Sequence, residues 1–223
     1  MKVSAIIPAA GSGRRFGEAK QFKLLAGRTL LFHSMKAFLE SSIIQEVIVV
    51  VPDYQIDTVH NDLLSISAGK PLKVIAGGTR RQDSVKNGVT ATVSSTTMVC
   101  IHDAVRPFVS KTLINNSIAA CKTADGAVVA LRSVDTVKLS EHGIVKETLN
   151  REKIWLVQTP QTFRKDKLIQ ALDHADEKSL TATDESYLME AMGFSVALVQ
   201  GDINNFKITT MVDWKRAEYL ISW

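Results

Sequence analysis

Residues 3–20 read Val3-Ser4-Ala5-Ile6-Ile7-Pro8-Ala9-Ala10-Gly11-Ser12-Gly13-Arg14-Arg15-Phe16-Gly17-Glu18-Ala19-Lys20. An apolar run of strand length empties into a small, glycine-rich turn, which then becomes cationic, with three positive charges within seven residues. A strand that ends this way offers backbone N–H groups and basic side chains to an anion at the edge of an α/β sheet. The anion expected here is a nucleotide triphosphate.

Working outward, apolar strands alternate with helical patterns, which predicts βαβ units and a mainly parallel, Rossmann-like sheet with helices on both faces. Thr29 is placed to cap a helix over 30–39, with Leu31, Met35, Phe38 and Leu39 on one face. Glu46 to Val51 is a continuous β-branched run, the mark of a strand buried on both sides, and Pro52 ends it. A helix over 54–64 and a strand over 72–76 follow. Gly77-Gly78-Thr79-Arg80-Arg81-Gln82-Asp83-Ser84 then repeats the opening theme: strand, glycines, cations and a hydroxyl entering a helix. After the strand 98–101 comes His102-Asp103-Ala104-Val105-Arg106-Pro107. Three polar clusters therefore fall at the carboxyl ends of strands, where open α/β sheets bind their ligands.

Ser110 is positioned to cap a helix to Lys122, and 127–131 reads as a strand. From 133 to 162 the rhythm changes to short alternating stretches around Glu141-His142-Gly143, a hairpin signal. This segment is expected to project from a single domain spanning 1–223 as an inserted arm that pairs with a second copy of the chain. Helices over 165–176 and from Thr183-Asp184-Glu185 to Met192 are predicted, the latter stopped by Gly193. Strands are expected over 195–199 and 207–210, and Asp213 is expected to cap a closing helix.

At 223 residues and 45% hydrophobic, the chain is long enough to bury a full core. The net charge of +4 is unevenly placed. Residues 1–36 hold seven basic side chains against Glu18 alone, +6, which leaves −2 for the remainder. A field concentrated on one loop favours a small anionic ligand over nucleic acid. Cys100 and Cys121 form no CxxC and belong to no zinc-spaced cluster, and Cys100 reads as a buried free thiol. No leader pattern or membrane-length apolar run of ~20 residues is present, so a cytoplasmic protein without a membrane partner is expected.

Two familiar glycine motifs fail on the opening loop. A dinucleotide fingerprint requires a third glycine where Phe16 stands, and a Walker loop requires lysine after glycine where Glu18 follows Gly17. The remaining pattern, Pro8 to Arg15 with Lys20-Gln21-Phe22, resembles the nucleotidyltransferases that activate sugar phosphates. Gly77-Gly78, Asp83-Ser84-Val85, His102 to Pro107, Thr159-Pro160-Gln161, Thr183-Asp184-Glu185 and Lys207-Ile208-Thr209 narrow the resemblance. As an ordered set they resemble the cytidylyltransferase family of the non-mevalonate isoprenoid pathway that acts on 2-C-methyl-D-erythritol 4-phosphate. Val105, Phe206 and the Met211-Val212-Asp213 run depart from that family's usual residues.

The resemblance implies attack by a phosphate monoester on the α-phosphorus of CTP, with Arg15 and Lys20 stabilising the transition state. It implies that Pro8, Ala9, Ala10, Gly11, Ser12 and Gly13 cradle the triphosphate. Gly78, Ser84, Asp103 and Ala104 would complete the nucleotide site. Arg106, Thr136, Arg151, Thr159 and Lys207 would hold the alcohol phosphate, Thr136 reaching in from a partner's arm. Mg²⁺ or another divalent cation is implied as cofactor, bound mainly through the CTP phosphates and not by a protein ligand set. Two other readings stay open: a ribitol-5-phosphate cytidylyltransferase, and a homologue that binds nucleotide without catalysis. An NAD-linked oxidoreductase fails at Phe16.

Other residues read more plainly. Arg14 is a solvated loop charge, His102 a hydrogen-bonding histidine and Asp184 a helix cap, and Trp155, Trp214 and Trp223 are packing residues. Arg106 is also able to pair with Asp103.

Overall fold

The computed structural model describes residues 1–11, 13, 16–64 and 69–222. In chain order the strands are β1 (Val3–Pro8), the short pair β2 (Leu24–Leu25) and β3 (Arg28–Thr29), β4 (Ile44–Val51), β5 (Leu72–Ala76), β6 (Met98–Ile101), β7 (Gly126–Arg132), β8 (Val137–Glu141), β9 (Ile144–Leu149), β10 (Trp155–Arg164) and β11 (Val196–Gln200). The helices are α1 (Leu30–Leu39), α2 (Ile56–Leu64), α3 (Arg81–Thr90), α4 (Lys111–Ala120), α5 (Lys165–Glu177), α6 (Glu185–Ala191) and α7 (Met211–Ile221).

Seven strands form one sheet in the order β11-β7-β10-β6-β1-β4-β5. Every neighbouring pair is parallel except those made by β10, which runs antiparallel to both β6 and β7. The alternation of side chains along the strands builds two cores. Val3, Ala5 and Ile7, with Val47, Val49 and Val51, face α1, α2 and α4. Ile6, with Ile48, Val50, Val99 and Ile101, faces α3, α5 and α6. Gly88 lets α3 lie close on β1, because a Cβ there would stand 2.5 Å from Ile6 Cγ2. A third apolar cluster joins Leu25, Leu30 and Ile208 to Trp214 and Ala217 of α7.

This is the expected Rossmann-like fold. The chain winds from β1 outward to β4 and β5, then returns to place β6 on the other side of β1. That reversal opens a crevice at the carboxyl ends of β1 and β6, the position at which doubly wound sheets bind ligands. Local capping follows the sequence. Thr29 Oγ1 accepts from the Phe32 amide, Ser110 Oγ from Leu113 and Asp184 Oδ1 from Tyr187.

Three expectations need correction. Residues 155–162 do not belong to the projecting segment: β10 returns them to the main sheet between β6 and β7. The pattern is hidden because Gln158-Thr159-Pro160-Gln161-Thr162 is polar where β10 borders the crevice, and its register with β7 breaks between Val157 and Gln161. What stands apart is the hairpin β8–β9, a separate two-stranded sheet turned at His142 and Gly143. Both of those residues have positive φ, 50° and 78°, as a type I′ turn demands. Residues 207–210 form no strand: the Ile208 amide donates to Val105 O, and Thr209 and Thr210 serve the start of α7. Thr210, not Asp213, is the cap of α7, and Asp213 reciprocates from the third helical position by accepting from the Thr210 amide.

Candidate active site

Four segments converge over the carboxyl edge of the sheet. The end of β1 supplies Pro8, and the loop after it supplies Ala9, Ala10, Gly11 and Gly13. The short 3₁₀ turn Lys20–Phe22 supplies Lys20 and Gln21. The loop after β5 supplies Gly78 and the first turn of α3, with Arg80, Arg81 and Ser84. The loop after β6 supplies Asp103, Ala104 and Val105, and Lys207 closes the ring. Together they enclose a cleft of about 330 Å³.

The two glycine loops lean on one another. A Cβ on Gly77 would come within 2.4 Å of Ala10 Cβ and 2.8 Å of Ser84 Oγ. Ser84 Oγ accepts from the Gly78 amide at 3.1 Å and lies 3.2 Å from Arg80 O, to which it donates. Ser34 Oγ donates to Ala104 O at 2.9 Å and pins the loop after β6 to α1. The cleft wall is thus set by backbone and small side chains, which leave room for a ligand to approach closely.

Asp103 is the electrostatic centre. Its Oδ2 lies 3.0 Å from Lys207 Nζ and 3.4 Å from Arg106 Nε, and its Oδ1 lies 3.4 Å from Arg81 Nη2. Burial alone would raise this carboxyl, but Arg81, Lys207 and Arg106 outweigh it and hold it well below the usual carboxylate range. Arg81 is itself gripped by Glu185, whose two oxygens lie 2.6 and 2.8 Å from Nη1. A second cleft of about 260 Å³ adjoins the first and shares Arg81, Asp103 and Lys207 with it. Its other walls are Arg106, Thr183, Asp184 and the stretch of β10 from Val157 to Gln161. Two anion-sized clefts thus meet across one carboxylate surrounded by three cations.

Behind that junction lies a hydrogen-bond chain with a fixed direction. His102 is fully buried; its Nε2 lies 3.0 Å from Arg106 O and its Nδ1 3.0 Å from Thr159 Oγ1. A carbonyl only accepts, so Nε2 carries the proton and Nδ1 accepts from the Thr159 hydroxyl. Thr159 Oγ1 in turn accepts from the Asp103 amide at 3.0 Å. Asn205 Nδ2 donates to Thr159 O at 2.8 Å, and Asn205 O accepts from Arg106 Nη1 at 2.8 Å.

A family model described as IspD: 2-C-methyl-D-erythritol 4-phosphate cytidylyltransferase matches residues 3–222. This chain belongs to that family. A relative from Geobacter metallireducens named 2-C-methyl-D-erythritol 4-phosphate cytidylyltransferase is 39% identical over 227 residues, which cover 99% of this chain and 98% of that protein. The solved 4-diphosphocytidyl-2C-methyl-D-erythritol synthase of Anaerococcus prevotii superposes with a TM-score of 0.89 at 30% identity, covering 100% of this chain and 99% of that one. The Thermus thermophilus 2-C-methyl-D-erythritol 4-phosphate cytidylyltransferase superposes at 0.82 with 35% identity, covering the whole of both chains. The chain is therefore a nucleotidyltransferase.

Against the cytidylyltransferase family's expected site, the structure brings most of the residues together. Pro8, Ala9, Ala10, Gly11, Gly13, Lys20, Gly78, Ser84, Asp103 and Ala104 line the larger cleft. Arg106 and Thr159 line the smaller, and Lys207 lines both. Ser12, Arg14 and Arg15 lie outside the described residues. Thr136 and Arg151 line neither cleft. Both are exposed at the base of the hairpin, where Arg151 Nη1 donates to Val134 O at 2.9 Å. Among the described residues no cluster of three or more His, Cys, Asp and Glu side chains is set to hold a metal ion, and no helix is long and apolar enough to cross a membrane. Two residues that sequence reasoning did not place in the site are Arg81 and Gln21. Arg81's only signal was its position in the cationic run entering α3, and Gln21's was its place beside Lys20.

The buried histidine gives a pH prediction. Burial lowers His102 from 6.5 to about 4 in the folded chain. Its folded value lies below its unfolded one, so the unfolded chain binds the proton first. The stability it confers is complete above about 6.5 and is lost as pH falls toward about 4. His102→Gln is expected to flatten the stability curve in that window by up to about 1.4 kcal/mol per pH unit. Urea titrations at several pH values measure this. His33 is also lowered, chiefly by burial, but it is present in both proteins and cancels in the difference.

Proposed function

We propose that the chain joins CTP to 2-C-methyl-D-erythritol 4-phosphate, giving 4-diphosphocytidyl-2-C-methyl-D-erythritol and pyrophosphate. The observation that carries this reading is the pair of adjoining clefts that share Asp103, Arg81 and Lys207, one floored by a glycine loop and the other lined by Arg106 and Thr159. A phosphate oxygen of the alcohol phosphate attacks the α-phosphorus, and the bond from that phosphorus to the pyrophosphate oxygen breaks. The attacking monoester is already largely a dianion at neutral pH, with its second pKa near ~6, so no general base is needed. His102 is neutral and engaged at both nitrogens, which agrees with a supporting role.

Catalysis in such a site is positioning and charge stabilisation. Lys20, with Arg15, would meet the charge that gathers on the α-phosphate. The loop from Pro8 to Gly13 would cradle the triphosphate, and Gly78, Ser84 and Ala104 would flank the base and ribose. Arg106, Thr159 and Lys207 would seat the attacking phosphate. Mg²⁺ would be held through triphosphate oxygens and water, since the carboxylate that lines the larger cleft, Asp103, is already shared among three cations.

Thr136 and Arg151 fit this scheme if the hairpin of one chain reaches the smaller cleft of another. The projecting segment supports that, because Val134, Ile144 and Val145 are 80%, 69% and 57% exposed and need a covering surface. We therefore propose a homodimer formed through the arm within 133–162, acting in the cytoplasm, where the two unpaired thiols would remain reduced. Light scattering at micromolar concentration should give twice the chain mass, and a monomer would count against the shared site. For the reaction, the protein is incubated with CTP, Mg²⁺ and either 2-C-methyl-D-erythritol 4-phosphate or ribitol 5-phosphate, and pyrophosphate release is followed. Faster turnover of ribitol 5-phosphate would replace the proposed substrate with its rival. Release with neither would refute the proposed reaction.

A further inference from the structure

The loop after β1 faces an electrostatic difficulty of its own making. A peptide carries a donor and an acceptor on opposite sides, so a loop that offers N–H groups to phosphates must turn its carbonyl oxygens elsewhere. A carbonyl left pointing at a triphosphate would repel it. The described alternate carbonyls of this loop, those of Ala9, Gly11 and Gly13, all have partners. Gly13 O accepts from the Phe16 and Gly17 amides at 2.8 and 3.2 Å. The other two are held by one side chain: Gln21 Nε2 donates to Ala9 O at 2.8 Å and to Gly11 O at 2.7 Å.

Both hydrogens of the Gln21 amide are thereby spent on the loop. Two carbonyl acceptors facing one atom also settle which end of the side chain is nitrogen. The side chain is buried, 4% exposed, so the bond to Ala9 O is shielded from water and the bond to Gly11 O partly so. Because the Ala9–Ala10 peptide is trans, fixing Ala9 O fixes the Ala10 N–H in the opposite direction. Gln21 also belongs to the three-residue turn that carries Lys20 into the same cleft. One turn thus delivers the cation and holds the backbone that faces it.

We propose that Gln21 is a positioning residue for the triphosphate. Its amide clamps Ala9 O and Gly11 O, keeps the donor side of the loop toward the ligand, and locks the loop to the Lys20 turn. This rests on the reading of the larger cleft as the CTP site. A change of about 1 Å in such a loop is enough to cost about a hundredfold in rate.

Two near-isosteric variants test it. Gln21→Met fills the same space and donates nothing. Gln21→Glu turns an acceptor, usually charged, on two carbonyl oxygens. Steady-state kinetics with CTP and Mg²⁺ should show kcat/KM for CTP reduced by about tenfold to a hundredfold in Gln21→Met and further in Gln21→Glu. The KM for 2-C-methyl-D-erythritol 4-phosphate at saturating CTP should stay within about twofold, because Gln21 does not line the smaller cleft. The melting temperature should fall by a few degrees in Gln21→Met and further in Gln21→Glu, so the deciding readout is the split between the two substrates. Values for CTP within about threefold of wild type in both variants would overturn the proposal. So would parallel losses for both substrates, which would mark Gln21 as merely structural. If the wild-type protein turned over no CTP, the functional reading of the cleft would fall first, and that result is distinct from active wild type with unaffected variants.

Discussion

Gly13→Ala is expected to reduce turnover of CTP by about a hundredfold or more while leaving the folded core intact. Gly13 has φ of +68°, and a Cβ added there would sit 1.9 Å from Glu18 O, 2.7 Å from Glu18 C and 3.2 Å from Ala19 Cα. Those atoms are backbone, so no side chain can rotate away to relieve the clash. The left-handed conformation costs an alanine about 1–2 kcal/mol more. The loop must therefore open between Gly13 and Glu18. Glu18 O is the acceptor of the Lys20 amide at 2.8 Å, so the displacement passes directly to the turn that carries Lys20. Gly17→Ala separates strain from clash. Gly17 has φ of +88°, but nothing lies within 4 Å of its added Cβ, so this variant should keep most of its activity. Kinetics on both variants, with thermal melts to confirm folding, check the pair. Gly13→Ala with activity within about threefold of wild type would show that the Gly13–Glu18 contact is dispensable.

How much of this architecture was legible in the sequence depended on whether local pattern and tertiary demand agreed. The strands 72–76 and 98–101 and the helix 30–39 appear with their expected bounds, because short, largely apolar runs and a threonine cap point to the same elements that packing requires. The three ligand-facing clusters were legible for a related reason: parallel strands put the residues after β1, β5 and β6 on one edge. β10 was not legible. Its Gln158 and Thr159 line the smaller cleft, so a strand central to the sheet is written in polar residues around a proline. The reverse happened at 207–210, where Lys207-Ile208-Thr209-Thr210 looks like a strand. Lys207 is drawn to Asp103, and Thr209 and Thr210 to the start of α7. Arg81 was overlooked as a site residue because its significance lies in Glu185, 104 positions away, and in Asp103. Periodicity does not report such pairings. The same holds for Gln21, whose two acceptors are backbone atoms that no side-chain pattern can advertise.

Lys20→Ala is expected to lower kcat by at least about 10²-fold while changing CTP affinity only modestly. Under the proposed assignment, the ammonium group would serve the reaction more than capture of the nucleotide. Lys20 is only 7% exposed, lines the larger cleft, and holds its Nζ 5.2 Å from the centre of the Phe16 ring. A cation in so dry a place interacts far more strongly with a nearby charge than it would in water. In the ground state the triphosphate charge is spread over many oxygens, and in the proposed site the loop amides would share in binding it. As the fifth oxygen approaches the α-phosphorus, charge gathers on the oxygens of that one group, and a fixed cation beside it stabilises the transition state selectively. Lys20→Met serves as companion, since it keeps most of the apolar stem against Phe16 and removes only the charge. If the charge is what acts, methionine and alanine should lose kcat alike. Comparison of single-turnover rates with equilibrium CTP binding for the two variants separates the terms. A variant with wild-type kcat and weakened CTP binding would assign Lys20 to capture of the nucleotide, and Lys20→Met with near wild-type turnover would assign it to packing.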